Sequence, residues 1–259
     1  MNNMKSNIRT INSFLADPRS EVRKEQLLKL DRYALEMKSN GKELSFLKYW
    51  GASNKNELDK YDFDSLLMLF GLLKIIERHY NVPSNLTVIF TDTHAYLNGY
   101  NENSYIAYFK QVRHALNSFN FQHALMSEVI NPHIIKYNNV ECESFINHLI
   151  IDRSTIDKYQ YSQNGIFKKF EESAKKYSKR LLLNKSDDLY ISSKTEAATL
   201  YLYLNDLERK QVSDAFKNHC YITYVSEEEQ KVTAPHMPII QIYTSERGIR
   251  SRPWFKIKK

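Results

Sequence analysis

The clearest pattern in the chain is a run of apolar residues at helical spacing followed by a short, continuously apolar segment. The periodic positions are Leu66, Leu69, Phe70, Leu73, Ile76 and Tyr80. They predict a helix with one buried face, for which Asp62 or Asp64 is the expected N-cap. Pro83 ends this helix, because proline cannot continue its hydrogen-bond ladder. Residues 86–90, which are rich in β-forming side chains, then predict a strand covered on both faces.

The rest of the chain repeats this alternation of helices and strands. Asp17 and Pro18 mark the start of an N-terminal helix that ends near Gly41. Further helices are predicted for residues 102–116, 142–151, 166–182 and 195–216, and further strands for residues 44–50, 121–130, 219–225 and 238–243. The last two strands are expected to pair across the charged loop 227–232. The sequence therefore predicts one α/β domain over residues 1–259, a Rossmann-like mixed sheet flanked by helices, with residues 1–40 as an N-terminal helical region.

The composition indicates the compartment in which the protein is expected. Two cysteines, Cys142 and Cys220, are too few for a disulfide framework, and neither has a second cysteine nearby. No apolar run approaches the ~20 residues of a membrane span, and residues 1–23 are too polar for a signal peptide. We therefore expect a soluble, cytoplasmic protein that does not associate with membranes.

Candidate chemistry lies in the loop that follows the strand at residues 86–90. In open α/β sheets, ligands bind outside the carboxyl ends of the strands, where the loops converge. Asp92, His94 and Asn98 fall on such a loop, and an aspartate held there can act as a base or bind an amine or hydroxyl group. The alternative is that Asp92 caps a turn and that His94 is a surface residue.

Several other chemistries lack their motifs. The chain has only six glycines and contains no glycine-rich phosphate loop, dinucleotide fingerprint or hydrolase elbow. The spacing of Asp92 and His94 could begin a metal site, but the additional motifs of binuclear phosphoesterases are missing. We therefore expect no metal and no cofactor.

A phosphate group would have to be held by basic side chains. The formal charge is +7 and the pI is about 9.1, in keeping with an anionic ligand. The candidate cations are Lys48, Lys55, Arg153, Arg250 and Arg252, and Tyr224 could line the same crevice or pack within the sheet.

Residues 44–116 resemble the isonitrile (isocyanide) synthases that are grouped with pyoverdine and dityrosine biosynthesis proteins. The matching parts are an early strand leading to a loop with Lys and Ser, a long Leu-rich helix that ends in Tyr, and an apolar strand that ends in Thr-Asp before an aromatic loop and a Tyr-containing helix. Here the loop includes Ser53 and Lys55, the helix ends at Tyr80, and the strand ends at Asp92. Pro253 and Trp254 are similar to a Pro-Trp pair near the family's C-terminus.

The resemblance implies a Rossmann-like enzyme of secondary metabolism that joins an amino-acid amine to the carbonyl of a sugar phosphate without a metal. By position, Asp92 would be the catalytic or amine-binding carboxylate, and Lys48 or Lys55 would contact the phosphate or the carbonyl. His94 is the second catalytic candidate, although the family prefers glycine and a basic or small residue after the aspartate.

Two other classes of function stay open. A basic tail with Trp254 could bind RNA or tRNA, and such binding would weaken steeply with salt. A non-catalytic interaction module on the same fold is the third reading, which unchanged activity after Asp92→Ala would favour.

Overall fold

The computed structural model describes residues 21–51, 55–97, 100–130, 208, 210–223 and 239–241. The helices predicted for residues 142–151 and 166–182, the helix start at Asp17, and most of the helix predicted for residues 195–216 lie outside these residues.

Helices and strands alternate along the described chain. In order they are α1 (Glu21–Ser39), β1 (Leu44–Trp50), α2 (Lys60–Tyr80), β2 (Ser84–Phe90), α3 (Asp92–Leu97), α4 (Glu102–Ser118), β3 (Gln122–Leu125), α5 (Met126–Ile130), β4 (His219–Thr223) and β5 (Ile239–Gln241). Residues 208 and 210–215 are also helical and lie immediately before β4. This alternation confirms the predicted α/β class.

The strands form one five-stranded sheet in the order β3-β2-β1-β4-β5. Every pair of neighbouring strands is parallel, whereas a mixed sheet was expected. The predicted pairing of the last two strands is confirmed, but they run parallel instead of forming a hairpin. A parallel pair needs a crossover connection, which the apolar pattern of the two strands does not reveal. All five carboxyl ends consequently lie at one edge of the sheet, which we call the carboxyl edge.

The two faces of the sheet carry separate apolar clusters. Phe46 and Trp50 lie on one face with Leu69, in the larger cluster that includes side chains of α1, α2 and α4. Leu47 lies on the opposite face with Tyr221, in a cluster that includes side chains of α5 and Val212. Neighbouring strand residues point to opposite faces, so β1 is covered on both sides. The strand predicted for residues 86–90 is likewise fully buried.

The long helix α2 begins earlier than its apolar pattern suggested. Asp59, and not Asp62 or Asp64, is the N-cap, and it forms a capping box with Asp62 as the partner at the third helical position. The side chain of Asp59 accepts from the backbone N–H of Asp62 at 2.9 Å, and the side chain of Asp62 accepts from the N–H of Asp59 at 3.1 Å. Asn81, which has a left-handed φ of 52°, closes the helix as C-cap.

Two segments after β2 differ from their predicted structure. Residues 92–97, expected to be a loop, form the short helix α3. Residues 121–130, expected to be one strand, divide into β3 and α5. The strand ends because side chains take up backbone N–H groups: Glu128 accepts from Leu125 N, and Asp92 accepts from Ser127 N. Within the described residues, no helix is both long enough and apolar enough to cross a membrane.

Candidate active site

The candidate site lies where β1 and β2 end at the carboxyl edge. The two strands stay in register to their last residues, Trp50 and Phe90. The backbone N–H of Thr91 then donates to the carbonyl of Trp50 at 3.0 Å, and α3 begins at the next residue. Parallel pairing therefore delivers Asp92 directly to the sheet edge at which ligands bind in this class of fold.

Asp92 is a buried carboxylate that accepts two hydrogen bonds from Ser127. Its side chain accepts from the backbone N–H of Ser127 at 3.0 Å and from the Ser127 hydroxyl at 2.5 Å. The residue is only 8% exposed, and this burial raises the pKa of Asp92 to about 6 although the Ser127 bonds act in the opposite direction. Asp92 thus caps the start of α5, and its burial brings its pKa closer to neutral pH.

His94 is bound to a second buried carboxylate, Glu208. Its Nε2 forms a short contact with Oε2 of Glu208, whose other oxygen accepts from the Thr93 hydroxyl at 2.7 Å. Burial alone would lower the pKa of His94, but the charge and hydrogen bond of Glu208, together with the charge of Asp92, raise it above its usual range. The side chain of His94 is 21% exposed, against 3% for Glu208. The imidazole therefore reaches the surface, and Glu208 favours its protonated form.

Two residues of this cluster were missed from the sequence. Ser127 lies 35 residues beyond Asp92, inside a segment that was expected to be a strand. Glu208 lies 114 residues beyond His94, in a charged helical pattern of the kind found on solvated surfaces. Neither residue carries a local motif, so no signal in the sequence could have found them.

The lysine candidates lie in different surroundings. Lys48 is inside β1 and only 7% exposed. Lys55 lies beside the start of α2, where its Nζ is 2.7 Å from Asp59 and 3.0 Å from Asp62. Burial works against the charge of Lys55, but these two carboxylates outweigh it and raise its pKa. A phosphate at Lys55 would therefore have to compete with two aspartates.

The remaining sequence candidates fall outside the described residues. They are Ser53, Asn98, Arg153, Tyr224, Arg250 and Arg252. Asp92 and His94 are thus the two candidates that the described structure brings together.

An aromatic contact holds the end of β1 beside the site. The Trp50 indole N–H donates to the Tyr108 hydroxyl at 3.0 Å in the buried interior. The ammonium group of Lys55 lies 5.8 Å from the centroid of the Tyr108 ring. These contacts link β1, α4 and the loop before α2 next to the end of β1. No group of three potential metal ligands occurs among the described residues.

A parallel sheet of this strand order, with helices against both faces and polar groups at its carboxyl edge, defines a Rossmann-like α/β protein. The solved structure of PvcA from Pseudomonas aeruginosa shares this fold, with a TM-score of 0.59 and 13% sequence identity over 92% of this chain and 82% of PvcA. Its similarity supports the fold alone.

Other solved structures align less well with this chain. A tyrosyl-tRNA synthetase from Archaeoglobus fulgidus, complexed with L-tyrosine, aligns with a TM-score of 0.43 and 12% identity over 93% of this chain and 64% of the synthetase. A cyclodipeptide synthase from Bacillus thermoamylovorans aligns with a TM-score of 0.36 and 10% identity over 83% of this chain and 92% of that protein. No protein-family model and no curated protein matches the sequence.

Proposed function

We propose that this protein is a biosynthetic enzyme, similar to isonitrile synthases, that condenses the amine of an amino acid with the carbonyl of a sugar phosphate. The observation that carries the proposal is the position of Asp92 and His94 in one short helix at the carboxyl edge of the sheet, where burial raises the pKa of Asp92 to about 6 and Glu208 raises the pKa of His94. The sequence resemblance over residues 44–116 and the fold shared with PvcA support it.

Condensation of an amine with a carbonyl needs an acid and a base. The amine nitrogen attacks the carbonyl carbon, the carbonyl oxygen takes up a proton, and a carbinolamine forms. The acid then protonates the hydroxyl group, which leaves as water, while the base removes the remaining proton from nitrogen to leave a C=N bond. One amine and one carbonyl thus give one imine and one water, with no electrons gained or lost.

The two side chains suit these two tasks. With its pKa raised to about 6, Asp92 is ionised at pH 7.5 yet basic enough to accept a proton from nitrogen. Glu208 raises the pKa of His94 and so favours its protonated form, which would donate to the leaving hydroxyl group. We assign Asp92 as the base and His94 as the acid. Lys48, Lys55 and the cations outside the described residues are the proposed phosphate contacts.

The test is a product assay with purified protein. Tyrosine or tryptophan and ribulose 5-phosphate are supplied, and mass spectrometry detects the isonitrile. Asp92→Asn and His94→Asn should each lower kcat by about 10²-fold or more, as expected for loss of an acid or base. Asp214→Asn, which removes an exposed carboxylate from the helical residues before β4, is the matched control and should retain full activity. Failure to form an isonitrile from any amino acid would remove this reaction.

A tRNA-using or RNA-binding role is the second candidate, and the charge of +7 favours it. Its basic tail, with Trp254, lies outside the described residues. A mobility shift with tRNA at low salt tests it, and no shift would exclude it. A non-catalytic module would bind no substrate and would be unaffected by Asp92→Asn.

A further inference from the structure

We infer that Glu208 is a positioning residue of this site, which fixes the His94 ring and stabilises its positive charge through a charge-assisted hydrogen bond to Nε2. This inference rests on the proposed function where it concerns proton donation to a substrate. The bond itself can be tested without any substrate.

Both oxygens of the Glu208 carboxylate are engaged. Oε1 accepts from the Thr93 hydroxyl at 2.7 Å, and Oε2 contacts Nε2 of His94. A carboxylate held at two atoms cannot rotate, so the position of Oε2 relative to the imidazole is fixed. Because the side chain is 3% exposed, water cannot take over either contact. A buried carboxylate of this kind is tolerated only when it is paired, and His94 supplies the matching charge.

The contact joins two distant parts of the chain at one sheet edge. His94 belongs to α3, a helix of only six residues that follows β2. Glu208 precedes β4, and β1 lies between β2 and β4 in the sheet. A helix this short has little stability of its own. Glu208 therefore anchors α3 from across the sheet, in the same turn that carries Asp92.

The two bonds of Glu208 predict separable effects. Loss of the Thr93 bond would loosen α3 but leave the charge next to His94. If the Glu208 charge is lost, the charge of Asp92 still raises the pKa of His94, but the larger effect of Glu208 is gone. If Glu208 has a purely structural role, loss of the Thr93 bond and loss of the Glu208 charge should affect the pKa of His94 equally. If Glu208 positions His94, only loss of its charge should change that pKa.

The experiment is an NMR titration of the His94 imidazole in Glu208→Gln, with Thr93→Val as the matched control. His94→Asn identifies the resonance, since its signal disappears in that variant. In the wild type the pKa of His94 should lie above its usual 6.5. In Glu208→Gln it should fall by at least about one unit, a roughly tenfold loss of the protonated fraction on the alkaline side. In Thr93→Val it should move by less than about 0.3 units.

An unchanged His94 titration in Glu208→Gln overturns the inference. If that variant does not fold by circular dichroism, Glu208→Asp replaces it, because it retracts the charge by one methylene group. Its His94 pKa should then lie below that of the wild type, and an identical value overturns the inference.

Activity measurements separate this inference from the proposed function. If the wild type forms an isonitrile, Glu208→Gln should move the alkaline limb of the kcat profile to lower pH by the same interval as the His94 titration, with KM changed less than twofold. If the wild type forms none while the titration shifts as expected, the proposed reaction is wrong and the role of Glu208 stands.

Discussion

Asp92 illustrates how a buried carboxylate can lower stability. Its pKa is about 6 in the folded protein and 3.8 as an ordinary aspartate, so the folded state binds more protons between these values. Stability from this group is present below about pH 3.8, falls as the pH rises through this window, and stays low above pH 6. At neutral pH the ionised carboxylate therefore opposes folding.

We predict that Asp92→Asn stabilises the protein at pH 7.5 by roughly 1–2 kcal/mol while it lowers kcat by about 10²-fold or more. The asparagine oxygen can still accept from Ser127 N, and its amide can donate to the Ser127 hydroxyl oxygen. Urea unfolding at pH 7.5 and pH 4 is the measurement. The gain should disappear at pH 4, where the wild-type carboxyl group is also neutral. If Asp92→Asn destabilises the protein equally at both pH values, burial of the Asp92 charge does not oppose folding.

Ser127 provides a second prediction at the scale of one residue. Its hydroxyl and backbone N–H both donate to Asp92, and both lower the pKa of that carboxyl group. Ser127→Ala removes the hydroxyl donor alone, so the pKa of Asp92 should rise by a further ~0.5–1 unit. The acid limb of the activity profile should move to higher pH by the same amount. An unmoved limb would mean that Asp92 does not set it.

The sequence indicates some members of this site and not others. Asp92 and His94 could be found because they follow directly after an apolar strand, and the end of such a strand is a recognisable place. Glu208 contacts His94 across 114 residues, and this proximity depends on β4 pairing with β1. Strand pairing joins residues that are far apart in the chain, and local sequence patterns do not predict it. The fold is therefore required before the site is complete.

At the scale of elements, the contact between Trp50 and Tyr108 joins β1 to α4 beside the site. The Trp50 indole N–H is buried and donates to the Tyr108 hydroxyl at 3.0 Å. We predict that Tyr108→Phe lowers the free energy of unfolding by about 1–3 kcal/mol, because the buried donor loses its partner. Urea denaturation measures this.

Two controls make this prediction specific. Tyr100→Phe, at a partly buried tyrosine just before α4, should change stability by less than about 0.5 kcal/mol. Trp50→Phe combined with Tyr108→Phe should cost less than the sum of the single changes, since both remove one hydrogen bond. Additive costs would show that the bond contributes nothing.

Element prediction worked best where the pattern was long. The apolar positions of α2 span several turns, and they predicted the helix. Its predicted last position, Tyr80, is confirmed. The short helices α3 and α5 were missed because five or six residues contain too few apolar positions to establish a period. Their formation depends on tertiary bonds, namely Glu208 to α3 and Asp92 to α5. Such helices follow from the folded context.

At the scale of the whole molecule, the parallel direction of the five described strands places their carboxyl ends at one edge. The apolar run of β2 predicted a central strand, and the sheet confirms this because β2 pairs with both β1 and β3. The order β3-β2-β1-β4-β5 was not predicted. It depends on the direction in which each crossover connection runs, and the residues of a strand do not indicate that direction. The order is nevertheless what brings the helical residues before β4 beside α3.

The net charge of +7 supplies the prediction for the whole molecule. A positive field attracts a phosphorylated sugar and weakens as salt shortens the Debye length from about 14 Å at 0.05 M to about 4 Å at 0.5 M. If the proposed reaction holds, kcat/KM for ribulose 5-phosphate should fall by about 3- to 10-fold over this range, chiefly through KM. Steady-state kinetics at several salt concentrations provide the measurement.

The matched control for this field effect is the same sugar without its phosphate. Its turnover should be slower at all salt concentrations and nearly independent of salt, because a neutral substrate does not respond to the net field. If both substrates lose activity in parallel, salt acts on the protein and not on attraction of the phosphate. If salt affects neither, the phosphate is held by contacts too close for screening, as at a buried lysine such as Lys48. Lys48→Met would then raise KM for the phosphorylated sugar alone.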